Sequence, residues 1–336
     1  MAKKSYFLPA LSEFFSVYLP KTKGLSANTI RSYKQVFRLL LEYIHTKQGL
    51  PPEKVEFRHL AKGMAEAWLE WLCTERGCSA KTRNHRLSVL VTFARFALRK
   101  DFGGALDFCS EVEHLPKKKE AKRTEAIHFT REEMSILLRL PDASTKIGRR
   151  NKVILSTLYA SGARAQELCD IKVGDVRFGS TTTMTMRGKG DKTRTIVIPE
   201  QCAVLLKSHI EQGRIVGNAG RHLFSSQTNE HMTISCLEAI VKKYVCLAKQ
   251  LRPDLFREHY TPHNFRHSIA MHMLESGIPL PVIKTFLGHV SIATTMIYAS
   301  ANYELVNKYL RDKNPYADDI SLAEQAEGVL MPHFLL

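Results

Sequence analysis

Between Thr261 and Tyr298 the chain reads TPHNFRHSIAMHMLESGIPLPVIKTFLGHVSIATTMIY, a stretch dense in side chains that could act on an anion. His263, Arg266 and His267 stand at i, i+3 and i+4, so a helix places all three on one face. Pro262 suits the first turn of that helix, where an amide has no intrahelical partner to lose. Ile269, Met273 and Leu274 continue the helix, Gly277 breaks it, and Val282, Ile283, Phe286 and Leu287 predict a second one ending at Gly288. His289 is presented just past that end, and a third apolar run carries Tyr298. A guanidinium, imidazoles and a phenol delivered from helix ends suit one anionic substrate. Each also has a plainer reading, since a His or Arg at a helix start is commonly a solvated cap and a helical Tyr is commonly half-buried packing. His263 and His267 have the spacing of a zinc pair. The Glu that would stand beside the first is absent, however, and Arg266 between them would repel a dication, so no metal is expected.

Two stretches upstream add to this set. In SGARAQELCDIKVGDV, Gly162 ends one helix and Arg164 stands at the start of the next, with Glu167 three residues on and Leu168 and Ile171 as its buried face. A guanidinium pinned there could meet two phosphate oxygens with little entropy lost. In TTTMTMRGKGDKTRTIVIP, alternation over Thr183–Met186, a turn at Gly188-Lys189-Gly190-Asp191 and alternation over Thr193–Ile198 predict a β-hairpin with Lys189 at its tip. A tip lysine is ordinarily solvated. The sequence is not a Walker A loop, which needs its Lys-Ser/Thr at a strand-to-helix junction.

The elements that must position these groups fall into two parts. A length of 336 residues suggests about two domains with ample cores. Lys and Arg exceed Asp and Glu by 16, which favours a polyanionic partner, most economically nucleic acid, although a basic chain also suits an acidic membrane. No run is long enough to span a membrane, and the N-terminus lacks the pattern of a secretory leader. Seven cysteines, an odd number without a CxxC pair, fit reduced thiols in a cytoplasm.

Residues 5–105 read as all helical. A first helix carries Leu11, Phe14, Phe15 and Tyr18 and is expected to stop at Pro20 and Gly24; others start at Ser26, near Met64 and at Ser79. The second and fourth echo each other, Ser26-Ala27-x-Thr29-x-Arg31 against Ser79-Ala80-x-Thr82-Arg83. Their basic first turns, with Arg31 and Lys34 in one and Lys81, Arg83 and Arg86 in the other, suit contacts to DNA phosphates; the plainer reading is two capped helices with solvated first turns. Residues 106–128, with Pro116-Lys117-Lys118-Lys119 and Lys122-Arg123, predict an extended, mobile basic linker. The second part opens at Phe129, where Thr130 and Glu133 form a capping-box pattern, and residues 200–250 add helices without evident chemistry.

Taken in order and context, Arg164 in SGARAQEL, Lys189 in RGKGDK, His263-x-x-Arg266-His267, Leu287-Gly288-His289 and Tyr298 nine residues later resemble the tyrosine recombinase (phage integrase) family. The resemblance covers roughly residues 5–315 and is nearest to the simple, Xer-like two-domain kind, since no room precedes Ser12 for a separate arm-binding domain. It implies a mainly α fold: a helical, SAM-like core-binding domain over 1–110, a basic linker over 111–128, and a mixed α/β catalytic domain with a small sheet over 129–315. The two domains would close as a C-shaped clamp on DNA. The tail over 316–336 would dock on a neighbouring protomer or fold back on its own domain.

For the chemistry, the resemblance implies Tyr298 as nucleophile on a phosphodiester, leaving a 3′-phosphotyrosine and a 5′-hydroxyl. Arg164 and Arg266 would clamp the nonbridging oxygens, Lys189 would protonate the leaving oxygen, His263 would take the phenol proton and His289 would donate to the phosphoryl group. Glu167 and His267 would support them, with no cofactor. Implied partners are double-stranded DNA with paired recombination sites and a homo-tetramer, or a hetero-oligomer with related recombinases, in the cytoplasm at the nucleoid and without a membrane. The implied task is integration, excision or transposition of a mobile element. A type IB topoisomerase-like enzyme is one alternative, against which the long core-binding domain speaks. A catalytically silent DNA-binding protein is another, and five catalytic-type positions kept together speak against that.

Overall fold

The computed structural model describes residues 6–120, 127–188, 192–213, 215–226, 229–256, 259–289, 291 and 295–296. Lys189, Tyr298 and the tail over 316–336 lie outside the described residues. The chain divides into two units, Met1–Lys122 and Arg123–Leu336.

The described part of the first unit is helical throughout. Helix α1 (Phe7–Glu13) runs directly into a π-helical stretch, Phe14–Thr22, which carries Pro20 inside it. Of the two expected stops, Pro20 is passed and Gly24, at φ +59°, follows the helix end directly after Lys23. The wider π turn accommodates Pro20, and the chain leaves only after Lys23 donates its amide to the Tyr18 carbonyl at 2.9 Å. Helices α2 (Ala27–Gln48), α3 (Met64–Thr74) and α4 (Ala80–Leu98) follow. The echo between α2 and α4 is one capping device used twice. Ser26 and Ser79 accept the amides of Thr29 and Thr82 at 3.4 and 3.3 Å, and each serine hydroxyl also pairs with the threonine hydroxyl three residues on. The core is an aromatic cluster in which Phe93 meets Phe7, Phe14 and Phe37 edge to face, with Trp68 fully buried.

Helix α5 (Phe102–His114) overturns the expected linker over its first part. Ala105, Phe108, Cys109 and Val112 fall at i, i+3, i+4 and i+7 and are all buried, so the segment is held by an ordinary amphipathic face. The basic stretch after it is held too. Arg83 donates to the Pro116 carbonyl at 2.6 Å, and Asn84 exchanges two hydrogen bonds with the Lys118 backbone. Side chains of α4 thus satisfy backbone groups that an extended tether would leave to water.

In the second unit, α6 (Arg131–Arg139) begins with the Thr130–Glu133 capping box, both of whose hydrogen bonds form. Helices α7 (Lys146–Ser161) and α8 (Ala165–Asp170) lead to an antiparallel sheet in the order β1 (Val176–Arg177), β2 (Thr183–Arg187), β3 (Thr193–Val197). The hairpin register runs from Thr183 opposite Val197 to Arg187 opposite Thr193. Met184, Met186 and Ile196 face the core. Strand β1 was not expected, because two residues are too short to show alternation. Helices α9 (Glu200–Gln212), α10 (Ile234–Leu251), α11 (Pro262–Glu275) and α12 (Leu280–Leu287) complete the described unit. No described helix is long and apolar enough to cross a membrane.

Gly162, between α7 and α8, is where three helices come closest. Its φ is +57°, and a Cβ there would stand 3.0 Å from Phe286, 3.1 Å from Leu287 and 3.2 Å from Ile269. Gly162→Ala is therefore expected to cost about 1–2 kcal/mol of stability from the left-handed backbone alone. Urea unfolding of the two chains measures this, and an unchanged midpoint would remove the close approach as a constraint.

Candidate active site

The site is built at the junction that Gly162 opens. Arg164 is the N-cap of α8, and Glu167 lies at its third helical position, so the short helix itself sets their spacing. The Glu167 carboxylate takes the Arg164 amide on Oε2 at 2.9 Å and the Arg164 Nη1 on Oε1 at 2.6 Å. A second guanidinium meets the same carboxylate from strand β3. Arg194 donates Nη2 to Oε2 at 2.8 Å and Nη1 to Oε1 at 3.2 Å. The Glu167 side chain is only 4% exposed and that of Arg194 11%, whereas Arg164 remains 43% exposed and open to a substrate. Burial alone would raise the Glu167 pKa. Hydrogen bonds from Arg194 and the Arg164 amide, then the Arg194 charge and the Arg164 side chain, outweigh it and bring it down to about 2.

Arg266 occupies the centre. Its side chain lies on the buried face of α11, and the residue is 1% exposed. Nη1 donates to the Gly162 carbonyl at 2.7 Å and Nη2 to the Leu287 carbonyl at 2.6 Å. Both carbonyls belong to helix C-terminal ends, α7 and α12, where the aligned peptide dipoles leave partial negative charge. The end of α12 is a Schellman turn, with Gly288 donating to Thr285 at 3.1 Å and His289 to Lys284 at 3.1 Å. Gly288 has φ +65°, and a Cβ on it would lie 2.9 Å from Cδ of Arg194. That arginine also donates Nε to the Phe286 carbonyl at 3.0 Å, so the last two carbonyls of α12 are each held by a guanidinium.

The imidazoles gather around these cations. His263 and His267 stand edge to face with ring centroids 4.4 Å apart. The His263 pKa is lowered, first by desolvation and then by Arg266 and Arg164. For His267 desolvation acts first, then His263 and Arg266, and the value falls to about 4. His289, whose Nδ1 lies 3.0 Å from the Thr295 hydroxyl, also falls to about 4 through desolvation, then Arg266, Arg164 and Arg194. All three are thus held in the neutral form at pH 7. Among the described residues no three His, Cys, Asp or Glu side chains form a group suited to a metal ion.

The structure therefore brings Arg164, Glu167, His263, Arg266, His267 and His289 into one electrostatically coupled site. Gly188, just before Lys189, lies beside it, since a Cβ there would be 3.3 Å from Oε1 of Glu167. The cations of the first unit divide. Arg31, Lys34 and Lys81 are exposed, whereas Arg83 is 4% exposed and engaged with Pro116, and Arg86 points Nη1 at the Cys78 sulfur at 3.0 Å. Arg83 is thereby withdrawn from any phosphate-contacting surface. Sequence reading passed over Arg194. A signal was present, because Arg194 shares the parity of Ile196 and Ile198 and so points inward on β3. It also passed over the part-buried pair between α7 and α11 in which the Tyr159 hydroxyl meets Nδ1 of His272 at 2.7 Å.

Comparison with known proteins places this geometry. Residues 128–304 match the phage integrase family, and residues 12–101 match the phage integrase N-terminal SAM-like domain. The protein y4rC of Sinorhizobium fredii (strain NBRC 101917 / NGR234) is 30% identical over 330 residues, 98% of each chain. Tyrosine recombinase XerD of Rickettsia prowazekii (strain Madrid E) is 30% identical over 316 residues, 89% of this chain and 95% of its own. The fold is similar to that of the XerH site-specific recombinase bound to palindromic difH substrate in a post-cleavage complex, with a TM-score of 0.68 at 20% identity over 90% of this chain and 87% of that one. It is also similar to the Tn1549 transposon integrase in complex with a circular intermediate DNA, with a TM-score of 0.66 at 17% identity over 92% and 100% of the two chains. The chain belongs to the phage integrase family and is a tyrosine site-specific recombinase. The helical core-binding unit and the mixed catalytic unit are those of that family.

A carboxylate held down near 2 stabilises the fold while ionised. That stabilisation is complete above the ordinary carboxylate range near 4.5 and is lost as pH falls toward about 2. A shift of this size corresponds to up to about 3 kcal/mol at about 1.4 kcal/mol per unit. Denaturant unfolding of wild type and Glu167→Gln is expected to show a stability gap at pH 7 that narrows between pH 4.5 and the acid limit; a gap independent of pH would show that Glu167 is not the group being titrated.

Proposed function

We propose that this recombinase cuts and rejoins duplex DNA through a covalent 3′-phosphotyrosine formed at Tyr298. The observation that carries the reading is the convergence of Arg164, a buried Arg266 and neutral His263 and His289 around the ends of α7, α8, α11 and α12. Two fixed guanidiniums suit the nonbridging oxygens of a phosphodiester, where negative charge builds as phosphorus becomes five-coordinate. In the proposed step the Tyr298 oxygen forms a bond to phosphorus and the bond from phosphorus to the 5′-oxygen breaks. The phenol proton passes to His263, which is neutral and can accept it, and Lys189 supplies a proton to the departing oxygen. His289 donates a hydrogen bond to the phosphoryl group. A 5′-hydroxyl from another strand then reverses the step, so the energy of the phosphodiester is kept and no cofactor is needed.

Duplex DNA as partner accords with the excess of 16 cations and with exposed Arg31, Lys34 and Lys81 near the starts of α2 and α4. A cavity of about 930 Å³ along the N-terminal half of α7, walled by Lys146, Arg149, Arg150, Lys152 and Arg221, adds positive surface to the second unit. Work on a mobile element, by integration, excision or transposition, and assembly as a tetramer or with related recombinases are read from the family. The tail over 316–336 is the proposed link between protomers.

Two measurements test the reaction. Nicked duplexes drawn from a library of flanking sites are expected to trap a covalent adduct with wild type and none with Tyr298→Phe, which still binds; an adduct surviving in that variant would take the nucleophile's role from Tyr298. The acid limb in the rate of adduct formation on the selected duplex should have its midpoint below 6.5, because burial and then Arg266 and Arg164 lower the His263 pKa from its ordinary value. An acid limb with its midpoint at or above 6.5 would contradict a neutral His263 as base.

A further inference from the structure

Arg194 stands in none of the roles assigned above, yet it makes more contacts to the Glu167 carboxylate than Arg164 makes with its side chain. A carboxylate bonded to one guanidinium cancels that cation's charge. Here one carboxylate is shared by two, so the trio Arg164, Glu167 and Arg194 carries a formal charge of +1 rather than zero. Of the three, Arg164 is the exposed member, and the surplus charge therefore faces the substrate side. The same guanidinium reaches the Phe286 carbonyl with Nε, and its stem passes over Gly288, the residue before His289. Strand β3, on which it sits, pairs with β2 up to Arg187 opposite Thr193.

We propose that Arg194 is a positioning residue of the cleavage reaction. It balances Glu167, so that the carboxylate orients Arg164 without neutralising it, and it fixes strand β3 to the end of α12. The inference rests on the reading of Arg164 as the phosphate-binding cation.

The charge count gives a test that separates balance from mere support. Arg194→Gln leaves Glu167 wholly to Arg164 and drops the trio to zero; the double variant Arg194→Gln/Glu167→Gln restores +1 while replacing both ionic groups by neutral amides. With the full-length chain, two quantities are read for each variant: adduct formation on the duplex selected with wild type, and binding of orthovanadate without DNA by calorimetry. Arg194→Gln is expected to lower both by about tenfold or more, with duplex affinity changed about twofold or less. The double variant is expected to recover a large part of both. A double variant no better than Arg194→Gln, or Arg194→Gln equal to wild type, would overturn the proposal. Should Arg194→Gln fail to fold, Arg194→Lys keeps the charge but not the two-pronged contact, and is expected to hold vanadate within about tenfold of wild type; a larger loss overturns the balancing role. Failure of wild type to form an adduct on every duplex would sink the proposed reaction instead, while the vanadate series would still decide on Arg194.

Discussion

The site depends on a cation placed where a cation is ordinarily costly. Arg266 is almost fully enclosed, and an ionised guanidinium without partners there would unfold the unit sooner than stay. What holds it is the backbone of two helix ends, the Gly162 carbonyl after α7 and the Leu287 carbonyl at the end of α12. Those carbonyls have no intrahelical partners and carry the negative ends of two dipoles, so helix termination and charge burial solve each other's problem. Much else follows from that. Gly162 must lack a side chain for α12 to come near, Gly288 must turn left-handed to end α12 there, and α11 must present position 266 inward.

Glu167 is the second constraint, and it works by being shared. A carboxylate with so little exposure needs every lone pair engaged, and four donors from Arg164 and Arg194 engage them. Because Arg194 comes from the hairpin and also grips the Phe286 carbonyl, the sheet, α8 and α12 are tied through one polar cluster. That explains why a three-stranded sheet this small matters to a mainly helical unit: it delivers a guanidinium to the site and sets Gly188 beside Glu167.

Most of this was legible where local chemistry decides structure. Ser26, Ser79 and Thr130 announced helix starts, Gly162 and Gly288 announced helix ends, and the Thr183–Ile198 alternation announced a hairpin, because caps, left-handed turns and two-residue periodicity act within a few residues. What escaped was set by partners distant in sequence. The run of lysines after Pro116 suggested a free tether, yet Arg83 and Asn84, more than thirty residues earlier, hold its backbone. Arg83 itself suggested a phosphate contact because composition shows a charge but not which way it faces. The parity of Arg194 with Ile196 and Ile198, by contrast, showed its inward face but not the distant Glu167 it meets. Pro20 misled differently, since a π turn, which no short pattern reveals, carries it within the helix.

The histidines show how the two constraints shape the chemistry. Arg164, Arg194 and Arg266 crowd one small volume with a single described carboxylate, Glu167, bonded to two of them. Any further positive charge there meets poor solvation first and then repulsion from neighbouring charges, chiefly the fixed guanidiniums, so His267 and His289 sit near 4 and His263 below its ordinary value. The imidazoles are thereby kept as neutral hydrogen-bonding groups, able to accept a proton in passing but not to retain it. The same field that discourages imidazolium favours incoming negative charge, whether a phosphodiester or a phenol giving up its proton. A site of this kind supplies its electrostatic stabilisation before substrate arrives, through charges already held by helix ends and by a shared carboxylate. In the proposed reaction, little reorganisation then remains for the step in which charge develops on phosphorus.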